Sequence, residues 1–163
     1  MTTAVKKIFD CENLAATEQL GRRIGAALCH GDVLAMIGPL GSGKTTLTKG
    51  IAAGAGVRNL RQVNSPTFVI VNEYEAVQAS EAEPLHIYHI DVYRLRGSDD
   101  LDAIGFDEMI QNGAVIIEWA DRVADLLPEH TTTITIEPTG EQSRRIHCSD
   151  THLLHRRENR AIE

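Results

Sequence analysis

Between Gly38 and Thr45 the chain reads G-P-L-G-S-G-K-T, with a second threonine at Thr46. These residues satisfy the pattern G-x-x-x-x-G-K-[ST], and chemistry explains the spacing. Glycine lets consecutive backbone N–H groups turn inward around an anion, and a helix opening near Lys44 would add the positive end of its dipole. Gly41, Ser42, Gly43, Lys44, Thr45 and Thr46 are therefore expected to cradle the phosphates of a nucleotide. Lys44 would reach the β and γ phosphates, and the Thr45 hydroxyl would ligate a magnesium ion bridging them. Such a cradle binds anions without a basic protein around it.

A triphosphate site with magnesium also needs a carboxylate at the end of a neighbouring strand. Two residues qualify: Asp91 ends the run L-H-I-Y-H-I-D, and Glu118 ends A-V-I-I-E. The hydrophobic runs favour Glu118 as a strand terminus. They leave open which residue partners the metal and which orients water.

The elements that must position these groups can be read from periodicity. After a short strand-like K-K-I-F, the segment E-N-L-A-A-T-E-Q-L-G-R-R-I-G-A-A-L places Leu14, Leu20, Ile24, Ala27 and Leu28 mostly on one side of a helix, and Gly31 ends it. D-V-L-A-M-I-G reads as a buried strand, the glycine-rich loop follows, and T-T-L-T-K-G-I-A-A-G-A-G supplies a helix closed by Gly54 and Gly56. A strand is expected after Pro66, then an exposed loop A-V-Q-A-S-E-A-E-P, then the strand ending near Asp91. Ser98 is the expected N-cap of one broken or two short helices. The strand ending at Glu118 leads into a short helix stopped by Pro128, and a hairpin turns at Pro138, Thr139 and Gly140. Strands alternating with helices and closing on a hairpin predict an α/β sheet, parallel in the middle and antiparallel at its margins.

The 163 residues suit one domain, with a polar tail from about residue 150. Hydrophobic content of 42% and charged content of 24% are those of a soluble globular chain, and no run is long enough to span a membrane. The N-terminal stretch lacks the apolar core of a secretory signal, and Cys11, Cys29 and Cys148 form no close pair, so a cytoplasmic setting is expected. The net charge of -7 disfavours direct RNA binding, which depends on cations neutralising phosphates. The basic clusters at Arg144–Arg145 and in H-R-R-E-N-R read as solvated surface.

Other chemistries fit less well. His86 and His89 are three apart on a strand and point to opposite faces, so packing and hydrogen bonding suit them better than metal binding. His147, Cys148, His152 and His155 lack the paired short spacings of a zinc site. The base-reading motif of GTPases is absent, which favours adenine. A small-molecule kinase could use the same loop with Asp91 activating an acceptor hydroxyl, but it usually needs an arginine-bearing lid, and A-V-Q-A-S-E-A-E-P has no arginine. A third possibility is a module in which the bound nucleotide only sets a surface conformation.

Taken in order, G-P-L-G-S-G-K-T-T, S-P-T-F, H-I-D-V-Y-R and E-W-A-D resemble the TsaE family over roughly Glu12 to Glu137. This is the ATPase component of bacterial tRNA threonylcarbamoyladenosine biosynthesis. The resemblance implies a single P-loop NTPase-like three-layer domain and a magnesium-dependent ATPase that acts through TsaB-type and TsaD-type partners, which carry most of the tRNA contact; since no residue announces itself as an arginine finger, hydrolysis without partners is expected to be slow. It implies that Asp91 is the magnesium-linked carboxylate, that Thr67 of S-P-T-F senses the γ-phosphate, and that Glu118 orients the attacking water. With Thr45, these two acids would make up the metal site, and Trp119 would lie near the nucleotide. Arg94 of H-I-D-V-Y-R is a candidate for partner contact or phosphate stabilisation. Pro39, Ser42 and the A-D of E-W-A-D depart from the family's commoner residues, and the last weakens any role for Asp121.

Overall fold

The computed structural model describes residues 6–64, 71–78 and 81–160. Seven strands form one sheet: β1 (Lys7–Cys11), β2 (Val33–Ile37), β3 (Val71–Ala76), β4 (Leu85–Asp91), β5 (Ala114–Glu118), β6 (Thr132–Pro138) and β7 (Arg144–Cys148). Their spatial order is β1-β7-β6-β2-β5-β4-β3. β6, β2, β5 and β4 run parallel, while β1, β7 and β3 pair antiparallel with their neighbours. The sheet is thus parallel at its centre and antiparallel at its margins, as the alternation of elements predicts.

The central strands explain the layering. All five residues of β5 are buried, as expected for a parallel strand covered on both faces. Successive side chains alternate between faces. Leu34, Met36 and Ile116 join one apolar cluster with residues of α1 (Leu14–Ala27), α2 (Lys44–Ala55) and α5 (His152–Arg160). Val33, Ala35, Val115 and Ile117 join a second, with residues of α3 (Ser98–Ala103) and α4 (Phe106–Asn112). Helices on both faces of the sheet make three layers.

Local chemistry sets the helix ends. Asn13 caps α1 by accepting from the Ala16 amide at 2.8 Å. Leu20, Ile24, Ala27 and Leu28 are buried as the periodicity requires, but Leu14, in the first turn, is 43% exposed. Gly56, at φ 104°, closes α2. At α3, the expected Ser98 cap is replaced by Gly97, with Ser98 already helical and no side-chain cap bond. Instead the Asp100 carboxylate reaches back to the Arg96 amide at 2.7 Å, which ties the turn entering the helix. The segment before Pro128 is a 3-10 helix, Ala120–Leu126, rather than an α-helix.

Residues 152–160 form the helix α5, where the sequence suggests a polar tail. α5 carries Leu153 into the α1 side of the core, and Arg156 Nη1 donates to both oxygens of Asp32, at 3.0 and 2.8 Å. The basic residues hide an amphipathic pattern in which Thr151 and Leu153 are buried while His152 and His155 face out.

Candidate functional site

β2 ends at Ile37, and the chain turns through Gly38–Gly43 into α2. Gly41 and Gly43 have φ of 75° and 105°, backbone conformations that favour glycine at these two motif positions. The Ser42 amide donates to Pro39 O at 3.0 Å, which closes the loop on itself. No side chain caps α2. The amides of its first turn, from Lys44 to Thr46, are left at the helix's positive end without intrahelical acceptors, an arrangement that suits an anion.

The cleft in front of this loop measures about 360 Å³ and is walled opposite by Asp91, Glu118 and Trp119. The two acids come from adjacent parallel strands and are direct register partners, Asp91 on β4 and Glu118 on β5. Strand pairing therefore places both carboxylates at the same sheet end as the loop, which follows β2, the other neighbour of β5. This is the crevice at the carboxyl ends of parallel strands where open α/β sheets bind ligands.

Lys44 is buried, with 6% exposure. Its Nζ donates to Gly38 O at 2.6 Å and Pro39 O at 3.0 Å, and lies 4.1 Å from the centroid of the Trp119 ring. Burial lowers its pKa, and the charges of Glu118, Asp121 and Asp91 oppose that shift. The ammonium is thus held in the cleft by carbonyl dipoles and an aromatic face, with carboxylates near enough to act on it. Trp119 has φ of 60°, the sole non-glycine at positive φ among the described residues, and packs edge-on against Tyr93 at 5.1 Å. Strain of this kind clusters at ligand sites.

The two acids differ in setting. Glu118 is 2% exposed and its Oε1 lies 2.9 Å from His89 Nε2. His89 is fully buried, and its Nδ1 lies 3.0 Å from the Tyr74 hydroxyl. The imidazole thus bridges the Tyr74 hydroxyl and the Glu118 carboxylate through its two nitrogens. Asp91 sits nearer the solvent and accepts from the Tyr93 amide at 2.8 Å. Its pKa is raised, first by burial and further by the Glu118 charge, against the pull of the Tyr93 amide.

Gly41, Ser42, Gly43, Lys44, Thr45, Thr46, Asp91, Glu118 and Trp119 therefore share one cleft. Thr67 lies outside the described residues. Arg94 is exposed and is not among the residues lining the cleft. Arg144 does line it and is 7% exposed, which corrects its reading as solvated surface. The signal for it was the alternation within β7, where Arg144, Ile146 and Cys148 share the buried face. The His89–Glu118 contact was hidden because it depends on which strand neighbours β4.

The donor set fits a magnesium–polyphosphate. Two carboxylates and a hydroxyl are oxygen ligands of the kind magnesium takes when phosphates complete its shell. Among the described residues the buried Ser42 hydroxyl and the Arg144 Nε have no hydrogen-bond partner, as polar groups of an anion site would before the anion arrives. Among the described residues, no three histidine, cysteine or acidic side chains converge as a metal cage. No helix among them is long and apolar enough to cross a membrane.

A three-layer sheet with a glycine-rich loop between its central strand and the next helix, facing acids on neighbouring strand ends, defines a P-loop NTPase-like α/β protein. Residues 11–146 match the model of the family described as threonylcarbamoyl adenosine biosynthesis protein TsaE. A Bacillus subtilis protein named tRNA threonylcarbamoyladenosine biosynthesis protein TsaE is 38% identical over 135 residues, which cover 82% of this chain and 79% of that one. A Treponema pallidum protein of the same name is 37% identical over 80% of this chain and 90% of its own. The crystal structure of Bacillus subtilis YdiB aligns over 100% of both chains, with a TM-score of 0.74 and 28% identity. The chain belongs to the TsaE family. The matched region ends at Ile146, inside β7, and so takes in Arg144.

Proposed function

We propose that the protein is a magnesium-dependent ATPase subunit of tRNA threonylcarbamoyladenosine biosynthesis, acting in the cytoplasm through partners of the TsaB and TsaD type. The observation that carries this reading is the facing of a glycine-rich anion loop and two strand-end acids across one cleft, with Lys44 buried between them. The names of its relatives support the pathway. The charge of -7 supports leaving most of the tRNA contact to partners.

ATP and magnesium, when bound, supply a polyphosphate whose charge is partly neutralised and whose terminal group water can attack. Gly41 to Thr46 hold the phosphates through backbone N–H groups, and Thr45 and Asp91 hold the metal. Lys44 moves its ammonium from the carbonyls of Gly38 and Pro39 to phosphate oxygens, exchanging dipoles for full charges. Glu118, fixed by His89, accepts a hydrogen bond from water and orients its lone pair. Thr67 supplies the γ-phosphate contact. Trp119 shields the lysine from solvent.

The test is phosphate release from ATP, with and without purified partner proteins, by the wild type and two variants. Lys44→Ala should lose nucleotide binding, and with it the fluorescence change of Trp119, the chain's one tryptophan. Glu118→Gln should bind ATP but turn over about 100-fold or more slowly. Partner proteins should accelerate the wild type. Phosphate transfer that required a small hydroxyl acceptor would identify a kinase instead, and full turnover by Glu118→Gln would remove the assigned acid.

A further inference from the structure

Adjacent arginines in β7 live in opposite surroundings. Arg145 is about half exposed, and its Nε donates to Asp10 at 2.8 Å. Arg144 points to the other face of the strand, is 7% exposed, and has no carboxylate partner among the described residues. Its guanidinium is held by carbonyls alone. Nη1 donates to Ser143 O at 2.8 Å, Gly140 O at 3.1 Å and Glu141 O at 3.3 Å, and Nη2 approaches Gly41 O at 3.4 Å. The third guanidinium nitrogen, Nε, is buried and has no acceptor among the described residues.

That donor stands against the phosphate loop. A Cβ placed on Gly43 would lie 3.2 Å from Arg144 Nε, close enough that the guanidinium would have to shift by a few tenths of an ångström. The Ser42 hydroxyl, in the same loop, also lines the cleft, is buried and has no partner among the described residues. A buried cation compensated only by dipoles is costly, and the cost is relieved when an anion comes within reach. Guanidinium is suited to the task because its charge is permanent and its fork is rigid.

We propose that Arg144 is an anion-binding residue of this cleft, delivered in cis by the β6–β7 hairpin, and that its Nε–H donates to a phosphate oxygen of the bound nucleotide. This rests on the nucleotide reading above and adds a second cation to it. The same guanidinium holds the hairpin turn through residues 140, 141 and 143, so an occupied loop and the turn move as one. The chain itself then supplies the phosphates with a cation besides Lys44.

The full chain and its Arg144→Lys and Arg144→Gln variants are titrated calorimetrically with ADP and with inorganic pyrophosphate. In parallel, the arginine Nε–H NMR signal of the wild type that is lost in Arg144→Lys is followed as pyrophosphate is added. Both ligands should bind about 10- to 100-fold more weakly to Arg144→Gln and less weakly to Arg144→Lys, and the Nε–H signal should shift on saturation. Unchanged affinity in Arg144→Gln, with a wild type that binds, overturns the inference and leaves the nucleotide reading standing. So does an Nε–H signal that stays put in saturated wild type, even if the Gln variant binds poorly or fails to fold, since Arg144 then only props the loop. A wild type that binds ADP, ATP and pyrophosphate not at all ends the nucleotide reading itself.

Discussion

The body of α2 and its first turn are built on opposite terms. Along the body, α2 lies against α1 so closely that backbone meets backbone. A Cβ on Gly25 would fall inside the Ile51 carbonyl, and one on Gly54 inside the Arg22 carbonyl. Leu20, Ile24, Leu47 and Ile51 fill the space between and are buried. Everything there is satisfied within the protein. At the first turn, Lys44 and Arg144 are buried on carbonyls and the Ser42 hydroxyl is unpaired. The difference shows how one helix can be both anchor and receptor: packing fixes its position, so the incomplete polar groups at its end are held ready rather than collapsing on one another.

Three substitutions probe that contrast. Gly25→Leu strikes the anchored side. Its branched side chain must push the two helices apart, and the loss should be about 3 kcal/mol or more of folding stability, read by denaturant or thermal unfolding. A variant that melted with the wild type would show that the helices are not in backbone contact.

Asp91→Asn strikes the receptive side, and the effect should be smaller and of opposite sign. Burial, and then the Glu118 charge, raise the Asp91 pKa. A carboxyl raised on folding favours the fold fully below its unfolded pKa, and that contribution is lost as pH rises through the folded value. At pH 7 the ionised group is therefore a cost, and Asn should stabilise the ligand-free protein by up to about 1 kcal/mol. The gain should vanish below pH 4, and magnesium-dependent nucleotide binding should weaken. Destabilisation at pH 7 would mean that the cleft is electrostatically complete without a ligand.

Arg145→Ala provides the baseline. Its pair with Asp10 is exposed on both sides, so neither folding stability nor nucleotide binding should change measurably. A measurable effect would erase the distinction between the two neighbouring arginines.

The strand, loop and helix around Lys44 were legible in the sequence because each is encoded locally, by apolar run, glycine spacing and periodicity. The strand-end positions of Asp91 and Glu118 followed for the same reason. Their register across the sheet did not, since it depends on β4 choosing β5 as its neighbour. Arg144 was least legible: 103 residues separate it from Gly41, whose carbonyl it approaches, and only the closed fold brings the hairpin turn over the loop. α5 was missed because a basic composition masked the burial of Leu153, which needs α1 to be in place.

β3 is an edge strand, and through Tyr74 it is wired to Glu118. A slip of one residue along β4 would swing that phenol to the far side of the sheet and take its hydrogen bond away from the imidazole. A tug on this border would thus reach the acid through a single ring.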